Sequence, residues 1–187
     1  LTDINLSFLH HEDGNLVLTV DGVIPAKGLE TRLGFSAERN ASGVWNGVVK
    51  LDDFKTAIIS PYLKKVRPLQ GLTSPINLES TLFLDGSNRA LISSWRLKAG
   101  WGVIKWPTLF RWPLPISGLF ANGTLNVTDG ITDLVVERFD LDNLHGKAGG
   151  RFSLTGLGGP EPTIDLRADA GGVPVNKAKF YYPNTIM

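Results

Sequence analysis

The chain has no cysteine among its 187 residues, which excludes disulfide bonds and thiolate chemistry. It has no run of about 18 apolar residues either, so no helix is predicted to cross a membrane. Its formal net charge of +1 argues against the concentrated basic face of a nucleic-acid-binding protein. The length allows one sizeable domain or two small ones.

Motifs of catalysis are also lacking. There is no Gly-x-Ser-x-Gly elbow, no P-loop and no Gly-x-Gly-x-x-Gly turn. His10 and His11 are adjacent and would point to opposite faces of a strand, while His145 is far away in sequence, so a shared metal site is not expected. We interpret residues 140–143 as a polar turn, because the rest of a calcium-binding loop is missing. We therefore expect a protein that is not an enzyme and needs no metal or cofactor.

The chain does contain many segments in which apolar and polar residues alternate. The clearest pairs between residues 119 and 170 are Leu125 and Val127, Phe152 and Leu154, and Ile164 and Leu166. Alternation with a period of two predicts β-strands with one apolar and one polar face. Asp129-Gly130 predicts a tight hairpin turn, because a type I′ turn needs positive φ at both central residues.

The first half of the chain follows the same pattern. Leu33 and Phe35 alternate with polar residues in the segment 29–38, and Leu78, Leu82 and Leu84 do so in the segment 76–84. The 21 glycines and 11 prolines are spread evenly, which suits many short strands and turns. Short helices are predicted only near residues 52–64, capped by Asp52 or Asp53, and 173–182. We predict a mainly β, antiparallel fold with one or two short helices.

The chain starts at Leu1 without a methionine, and we expect it to be one β-rich segment, residues 1–187, of a larger protein. The two halves of the chain weakly resemble each other, because in each of them several predicted strands lead into a short helix that ends near a tyrosine and a proline. This similarity gives possible sub-repeats at residues 1–65 and 76–187.

The predicted apolar face has two interpretations. It could be the core of a β-sandwich, closed by a second sheet or by helices, as in a structural or binding module of a surface protein. It could also be an open groove that holds acyl chains, because two short helices would cover only part of so much strand. Both interpretations stay open at this point.

Four tryptophans are concentrated within eighteen positions and alternate with cations. They are Trp95, Trp101, Trp106 and Trp112, interleaved with Arg96, Lys98, Lys105 and Arg111. Aromatic rings and cations both favour a membrane interface, which makes Trp101, Trp106 and Trp112 candidate interfacial residues. Ordinary core aromatics, with Pro107, Pro113 and Pro115 forming a crossing loop outside any central strand, are the alternative.

Several stretches resemble one known family. They are residues 114–119 followed by 123–125, residues 148–156 (Ala-Gly-Gly-Arg-Phe-Ser-Leu-Thr-Gly), the strand 163–170, residues 173–175 and the close at 180–183 (Phe-Tyr-Tyr-Pro). Together they resemble the AsmA-like superfamily of Gram-negative envelope proteins, in particular its YhdP-type branch. The resemblance covers about residues 76 to 183 and includes no catalytic motif.

This resemblance implies a fold, a place and a role. Members are anchored in the inner membrane and extend through the periplasm, and their sheets curl into a long apolar groove of the β-taco kind. They are implicated in phospholipid transport between the inner and outer membranes and in envelope integrity, like the related TamB-type and bridge-like lipid transfer proteins. The chain would then be a periplasmic segment that binds phospholipid or another acyl-chain lipid, and other parts of its parent protein would contact the membrane.

We predict the lining of such a groove from the alternation alone. The predicted lining residues are Leu33, Phe35, Leu78, Leu82, Leu84, Leu125, Val127, Phe152, Leu154, Ile164 and Leu166. The alternation fixes which residues share a face within one strand, but it leaves the relation between strands open.

Overall fold

The computed structural model describes residues 2–26, 29–55, 73–87, 89–105, 112–174 and 176. The described residues form twelve β-strands. The first six are β1 (Thr2–His10), β2 (Leu16–Ala26), β3 (Leu29–Arg39), β4 (Trp45–Phe54), β5 (Ile76–Leu84) and β6 (Ala90–Ala99). The others are β7 (Gly102–Ile104), β8 (Leu114–Ile116), β9 (Gly118–Thr128), β10 (Ile131–Asp142), β11 (Lys147–Leu157) and β12 (Thr163–Gly171).

Ten of these strands form one open, curved antiparallel sheet. Its order is β1-β2-β3-β4-β5-β6-β9-β10-β11-β12, so each strand pairs with the strands before and after it, except where β7 and β8 form a separate two-stranded sheet. The predicted mainly β, curved antiparallel fold is confirmed. Because β4 pairs directly with β5, the two suggested sub-repeats share a single sheet.

The predicted helices lie almost wholly outside the described residues. At the start of the first one the prediction is wrong, because Asp52 and Asp53 belong to strand β4, which continues to Phe54. Asp53 has a φ of 53°, and the register between β4 and β5 shifts between Leu51 and Phe54. An irregularity of this kind bends a strand and increases its twist, so Asp53 ends the regular ladder rather than capping a helix.

Irregular positions recur along the sheet. The register between β10 and its neighbours shifts beyond Val136, and that between β10 and β11 shifts between Thr132 and Leu134, near Gly156 with its φ of 73°. Asp3 in β1 also has a positive φ of 53°. Bulges bend the strands that carry them, which is consistent with the curvature of the sheet.

The tight turns have local causes. Asp129 and Gly130 have φ values of 49° and 81°, as the predicted hairpin turn requires, and they join paired residues Thr128 and Ile131. In the turn after β5, the Ser87 hydroxyl and the backbone N–H groups of Ala90 and Arg89 donate hydrogen bonds to the Asp85 carboxylate. These hydrogen bonds hold the pKa of Asp85 below its ordinary value, and the one from Ser87 has the largest effect.

The two-stranded sheet packs over one end of the main sheet. Ile116 of β8 is fully buried against Ile76 and Ala99, and Leu119 and Leu141 pack around them. The segment before β5 fixes this position, because the Thr73 hydroxyl accepts a hydrogen bond from the Val103 N–H and the buried Ser74 hydroxyl donates one to the Gly100 carbonyl. We call β7, β8 and this cluster the end cap.

Among the described residues, no helix has the length and apolar character needed to span a membrane.

Candidate functional site

The cross-strand register assigns every strand of the main sheet to two common faces. Residues directly opposite each other in an antiparallel pair point to the same side. Leu78 of β5 lies opposite Leu51 of β4 and Leu97 of β6, and Leu82 lies opposite Gly47 and Ser93. Continuing this pairing through all ten strands gives one face that we call the apolar face and an opposite one that we call the polar face.

All eleven predicted lining residues lie on the apolar face. Leu33 pairs with Leu51, which pairs with Leu78, so β3, β4 and β5 present these three leucines on the same side of the sheet. In the second half, the register links Leu91 to Val127, Ser93 to Leu125, Leu125 to Leu134, Leu134 to Leu154, and Leu154 to Ile164. The same pairing places four further residues on the apolar face, namely Phe35, Leu84, Phe152 and Leu166. The register thus supplies the phase between strands that alternation left open, and contact with lipid stays a prediction.

Polar groups on the apolar face of the described strands are few. The ionisable ones are His10 and Arg39, both at the last position of their strands. Ser80 and Ser93 lie in the middle of the face and are buried, but their hydroxyl oxygens are 2.7 Å apart and the Ser80 hydroxyl also donates to the Ser94 carbonyl at 3.2 Å. No described Asp, Glu or Lys side chain belongs to the regular pairing of this face.

The polar face carries the charges. Lys50 and Glu79 form an exposed ion pair there, with 3.4 Å between the Lys50 Nζ and Glu79 Oε1 atoms. Arg138 lies over the Phe120 ring and pairs with Asp140 at 2.6 Å. The described charged residues of β5 and β6 all lie on this side, and they are Glu79, Arg96 and Lys98.

Exposure differs between the middle and the edges of the apolar face. Leu78, Leu82, Leu125 and Phe152 are half-buried, although no second sheet other than the end cap packs over them within the described part of the chain. At the two edge strands the same face is open, with Leu6 68%, Phe8 62%, Ile164 76% and Leu166 63% exposed. The central side chains are therefore shielded mainly by one another across a curved surface, whereas those at the edges lack neighbours on one side.

The tryptophans divide between the sheet and the end cap. Trp95 belongs to the apolar face, opposite Ser80 and Gly123, and its ring approaches Gly123 so closely that a Cβ there would lie 3.0 Å from it. Trp101 and Trp112 flank the end cap and are 64% and 51% exposed. Trp106 lies outside the described residues. The exposure of Trp101 and Trp112 is compatible with the predicted interfacial role, which stays a prediction.

The predicted lining leaves out part of the apolar face. Val49, Leu51 and Leu97 belong to it by register, and alternation in β4 and β6 would have found them. Phe139 and Leu141 belong to it only because an irregularity after Val136 changes the parity of β10. In the sequence, the two consecutive polar residues Glu137 and Arg138 separate the alternation at Val136 from the one that resumes at Phe139, and an extra residue of this kind moves every later side chain to the other face.

The described residues contain no group of three or more His, Asp and Glu side chains that could hold a metal ion. No family model, curated protein or solved structure matches the chain. The candidate site is therefore defined by its geometry, which is a broad apolar surface without a catalytic constellation among the described residues.

Proposed function

We propose that the apolar face shields the acyl chains of phospholipid, or of another lipid with acyl chains, and that the protein works without catalysis. The observation that supports this most is the continuity of the face. Every one of the ten paired strands contributes apolar side chains to it, and nine inter-strand spacings of about 4.8 Å give a path of roughly 40 Å across the strands.

The physical chemistry of the face suits this cargo. Burying each CH₂ group of an acyl chain contributes about 0.8 kcal/mol, and contacts with leucine, valine and phenylalanine have no directional requirement. An acyl chain can therefore be held without being fixed in place. Charged head groups would remain outside, because desolvating a charge without a partner is costly and the apolar face of the described strands offers only His10 and Arg39 as ionisable groups in its regular pairing.

The resemblance to AsmA-like, YhdP-type proteins extends this proposal to a cellular role. In that role the chain is a periplasmic segment of a parent protein anchored in the inner membrane, and it takes part in phospholipid transport between the inner and outer membranes and in envelope integrity. The open, curved sheet and its apolar face are the features of this chain that support the idea.

The alternative is a structural or binding β-sandwich module of the cell envelope. It requires a second layer over the whole apolar face. In the described part of the chain, only the end cap covers this face, around Ile76, Ala99 and Leu119. We therefore favour the lipid-binding function, and a protein partner that covers the face becomes an outcome of its test.

Native mass spectrometry of the protein, purified from membrane-containing lysate without detergent, tests the proposal. We expect masses that correspond to bound phospholipid, which extraction and lipid analysis should identify. A folded protein that carries no lipid, and takes up none when offered phospholipid vesicles, would contradict the proposal and favour the sandwich module.

A further inference from the structure

The two edge strands of the main sheet, β1 and β12, differ in how regular they are. A free edge carries unpaired N–H and C=O groups that can pair with another strand, and bulges, lysines or prolines usually prevent this. In β1, Asp3 has a positive φ of 53° and the register with β2 shifts between Thr2 and Asn5. In β12, the pairing with β11 runs from Thr163 to Gly171 without a shift, and the strand contains no lysine or proline. The outer edge of β12 is therefore the better template for a further strand.

The chain that follows β12 leaves this outer edge open in the described part of the structure. Gly172 has a φ of 76°, and Val173 lies against Gly146 in the turn between β10 and β11. A Cβ on Gly146 would lie only 2.7 Å from the Val173 Cγ2 atom. Within the described residues, the chain therefore does not turn back along the outer edge of β12.

The polar face of β12 carries three charges of alternating sign, and all of them are exposed. They are Asp165, Arg167 and Asp169. Arg167 lies directly opposite Arg151 of β11, and like charges in this position destabilise a sheet. Among the described residues, none of these four side chains belongs to an ion pair. A carboxylate supplied from outside, opposite Arg167, would therefore offset the repulsion.

A second copy of β12 can supply this carboxylate. Two copies of one strand can pair in antiparallel fashion about a two-fold axis, and only residues of the same parity then face each other, because the outward backbone groups belong to alternate residues. An axis at Leu166 places Asp165 of each copy opposite Arg167 of the other, which gives two ion pairs. An axis at Arg167 would instead oppose the two arginines and also oppose Asp165 to Asp169.

The apolar side chains of β12 distinguish the axis at Leu166 from a third possibility. An axis at Ala168 also gives two ion pairs, between Arg167 and Asp169, but it places Ile164 opposite Gly172, beyond the end of the strand. The axis at Leu166 places the two Leu166 side chains opposite each other and Ile164 opposite Ala168. Ile164 and Leu166 are the two large apolar side chains that β12 exposes, so this register covers both of them.

We propose that β12 pairs with β12 of a second copy of the chain, antiparallel and about a two-fold axis at Leu166. Such an interface uses the same surface on both copies and closes at two. In β1, the residues from Ile4 to Leu9 carry no charge that could match Asp165 and Arg167, so charge complementarity favours a second β12. Since one strand of each copy takes part, we expect monomer and dimer in equilibrium. This interface does not depend on the proposed lipid-shielding function.

Single cysteines test the register directly, because the chain has no cysteine of its own. Leu166→Cys should give a disulfide-linked dimer of the full chain under mild oxidation, since the axis brings the two Cβ atoms together. Ile164→Cys and Ala168→Cys should each stay monomeric alone but should form a linked dimer when mixed. A dimer from Ala168→Cys alone, or from Leu6→Cys in β1 but not from Leu166→Cys, would overturn the proposal.

Charge reversal tests the same interface without a covalent link. Asp165→Arg and Arg167→Asp should each raise the dissociation constant of the dimer by roughly tenfold or more, because both attractive pairs become repulsive. A mixture of these two variants should associate again, since each charge then faces its opposite on the other chain. Sedimentation equilibrium measures the association, and circular dichroism shows that the variants are folded.

Lys98→Asp is the matched control, because Lys98 is exposed on the polar face of β6, away from the edge. It should associate like the unchanged protein. A folded protein that stays monomeric at every concentration, or that associates equally well in all of these variants, would overturn the proposal. A dimer that Arg167→Asp weakens but Asp165→Arg does not would also overturn it, since that pattern belongs to an axis at Ala168.

Discussion

The two faces of the main sheet are built from alternate residues of the same strands, yet they differ in almost every property. In β5, Leu78 and Leu82 lie on the apolar face, while Glu79 and Thr81 between them lie on the polar face. The polar face carries exposed ion pairs such as Lys50 with Glu79, although Val48 and Val135 on the same face are half-buried. The apolar face is half-buried at its centre, although only its end is covered by other described strands.

This difference shows that the side chains of the apolar face are not buried in the way that the side chains of a protein core are. A core residue is shielded by a second layer, whereas the side chains at the centre of this face are shielded by their neighbours on a curved surface. Its central polar pair, Ser80 and Ser93, satisfies its own hydrogen bonds and leaves the surrounding surface apolar. The polar face can vary in detail without changing this surface.

A carboxylate placed on the apolar face should have the largest effect. Leu125 lies between Ser93 and Leu134, and Leu125→Asp should lower the free energy of unfolding by about 3 kcal/mol, because apolar contacts are lost and a charge is partly desolvated. It should also reduce the amount of co-purified lipid. Urea unfolding and lipid analysis measure the two effects.

The neighbouring variant Asn126→Asp is the matched control, because Asn126 is exposed on the polar face. It should change stability by less than about 0.5 kcal/mol and leave the bound lipid unchanged. Equal effects of both variants would mean that the two faces are not distinct in the way the register indicates.

Shortening an apolar side chain should lower the free energy of unfolding most where the end cap and the apolar face are packed together. Ile116 is fully buried in the end cap, and Ile116→Ala should cost about 2 kcal/mol through lost burial and the cavity left behind. Ile164, on the apolar face of edge strand β12, is 76% exposed, so Ile164→Ala should cost less than about 0.5 kcal/mol. Urea unfolding of both variants tests the contrast, and a large cost at Ile164 would mean that another layer covers the edge.

The serine pair should give a smaller and non-additive effect. Ser80→Ala leaves the buried Ser93 hydroxyl without its 2.7 Å partner and should cost about 1 kcal/mol. The double variant Ser80→Ala/Ser93→Ala removes both hydroxyls and should be close to neutral, since neither group is then left unpaired. A double-mutant cycle of unfolding free energies measures this coupling, and purely additive losses would contradict it.

An ion pair on the polar face should give the smallest effect. The Lys50 and Glu79 side chains are 60% and 54% exposed, so replacing Lys50 with alanine should change the free energy of unfolding by less than about 0.5 kcal/mol. The small change should shrink further at high salt. A salt-independent loss above about 1 kcal/mol would show that the polar face contributes to the fold more than its exposure indicates.

Much of this architecture could be predicted from alternation and turn chemistry. The strands that contain Leu33, Leu82 and Phe152 follow directly from a period of two, and Asp129-Gly130 follows from the backbone angles of a hairpin turn. The prolines were informative as well. Pro115 lies in β8 of a two-stranded sheet, where every strand is an edge, so the expectation that it would avoid a central strand is confirmed.

What could not be predicted depends on contacts between distant residues. The phase between strands is set by pairing, and only that pairing shows that the residues before and after the irregularity that follows Val136 lie on the same face of the sheet. Asp52 and Asp53 resemble a helix cap locally, but Asp52 is paired with Arg32 of β3, and the Asp53 N–H donates a hydrogen bond to the Asn77 side chain of β5. The end cap requires Ile116 to meet Ile76 and Ala99. The resemblance to AsmA-like proteins stays a prediction, and with it the lipid and the periplasmic location.

Site-specific photocrosslinking in intact cells tests the central claim most directly. A photoreactive amino acid is placed at Leu82 or Phe152 on the apolar face, and at Phe83 or Ser153 on the polar face. Phe83 is the sharpest control, because it is apolar and 39% exposed but lies on the wrong face. The account predicts phospholipid adducts at Leu82 and Phe152 and none at Phe83 and Ser153. Adducts that follow side-chain exposure rather than face, or their absence from all four positions, would contradict it.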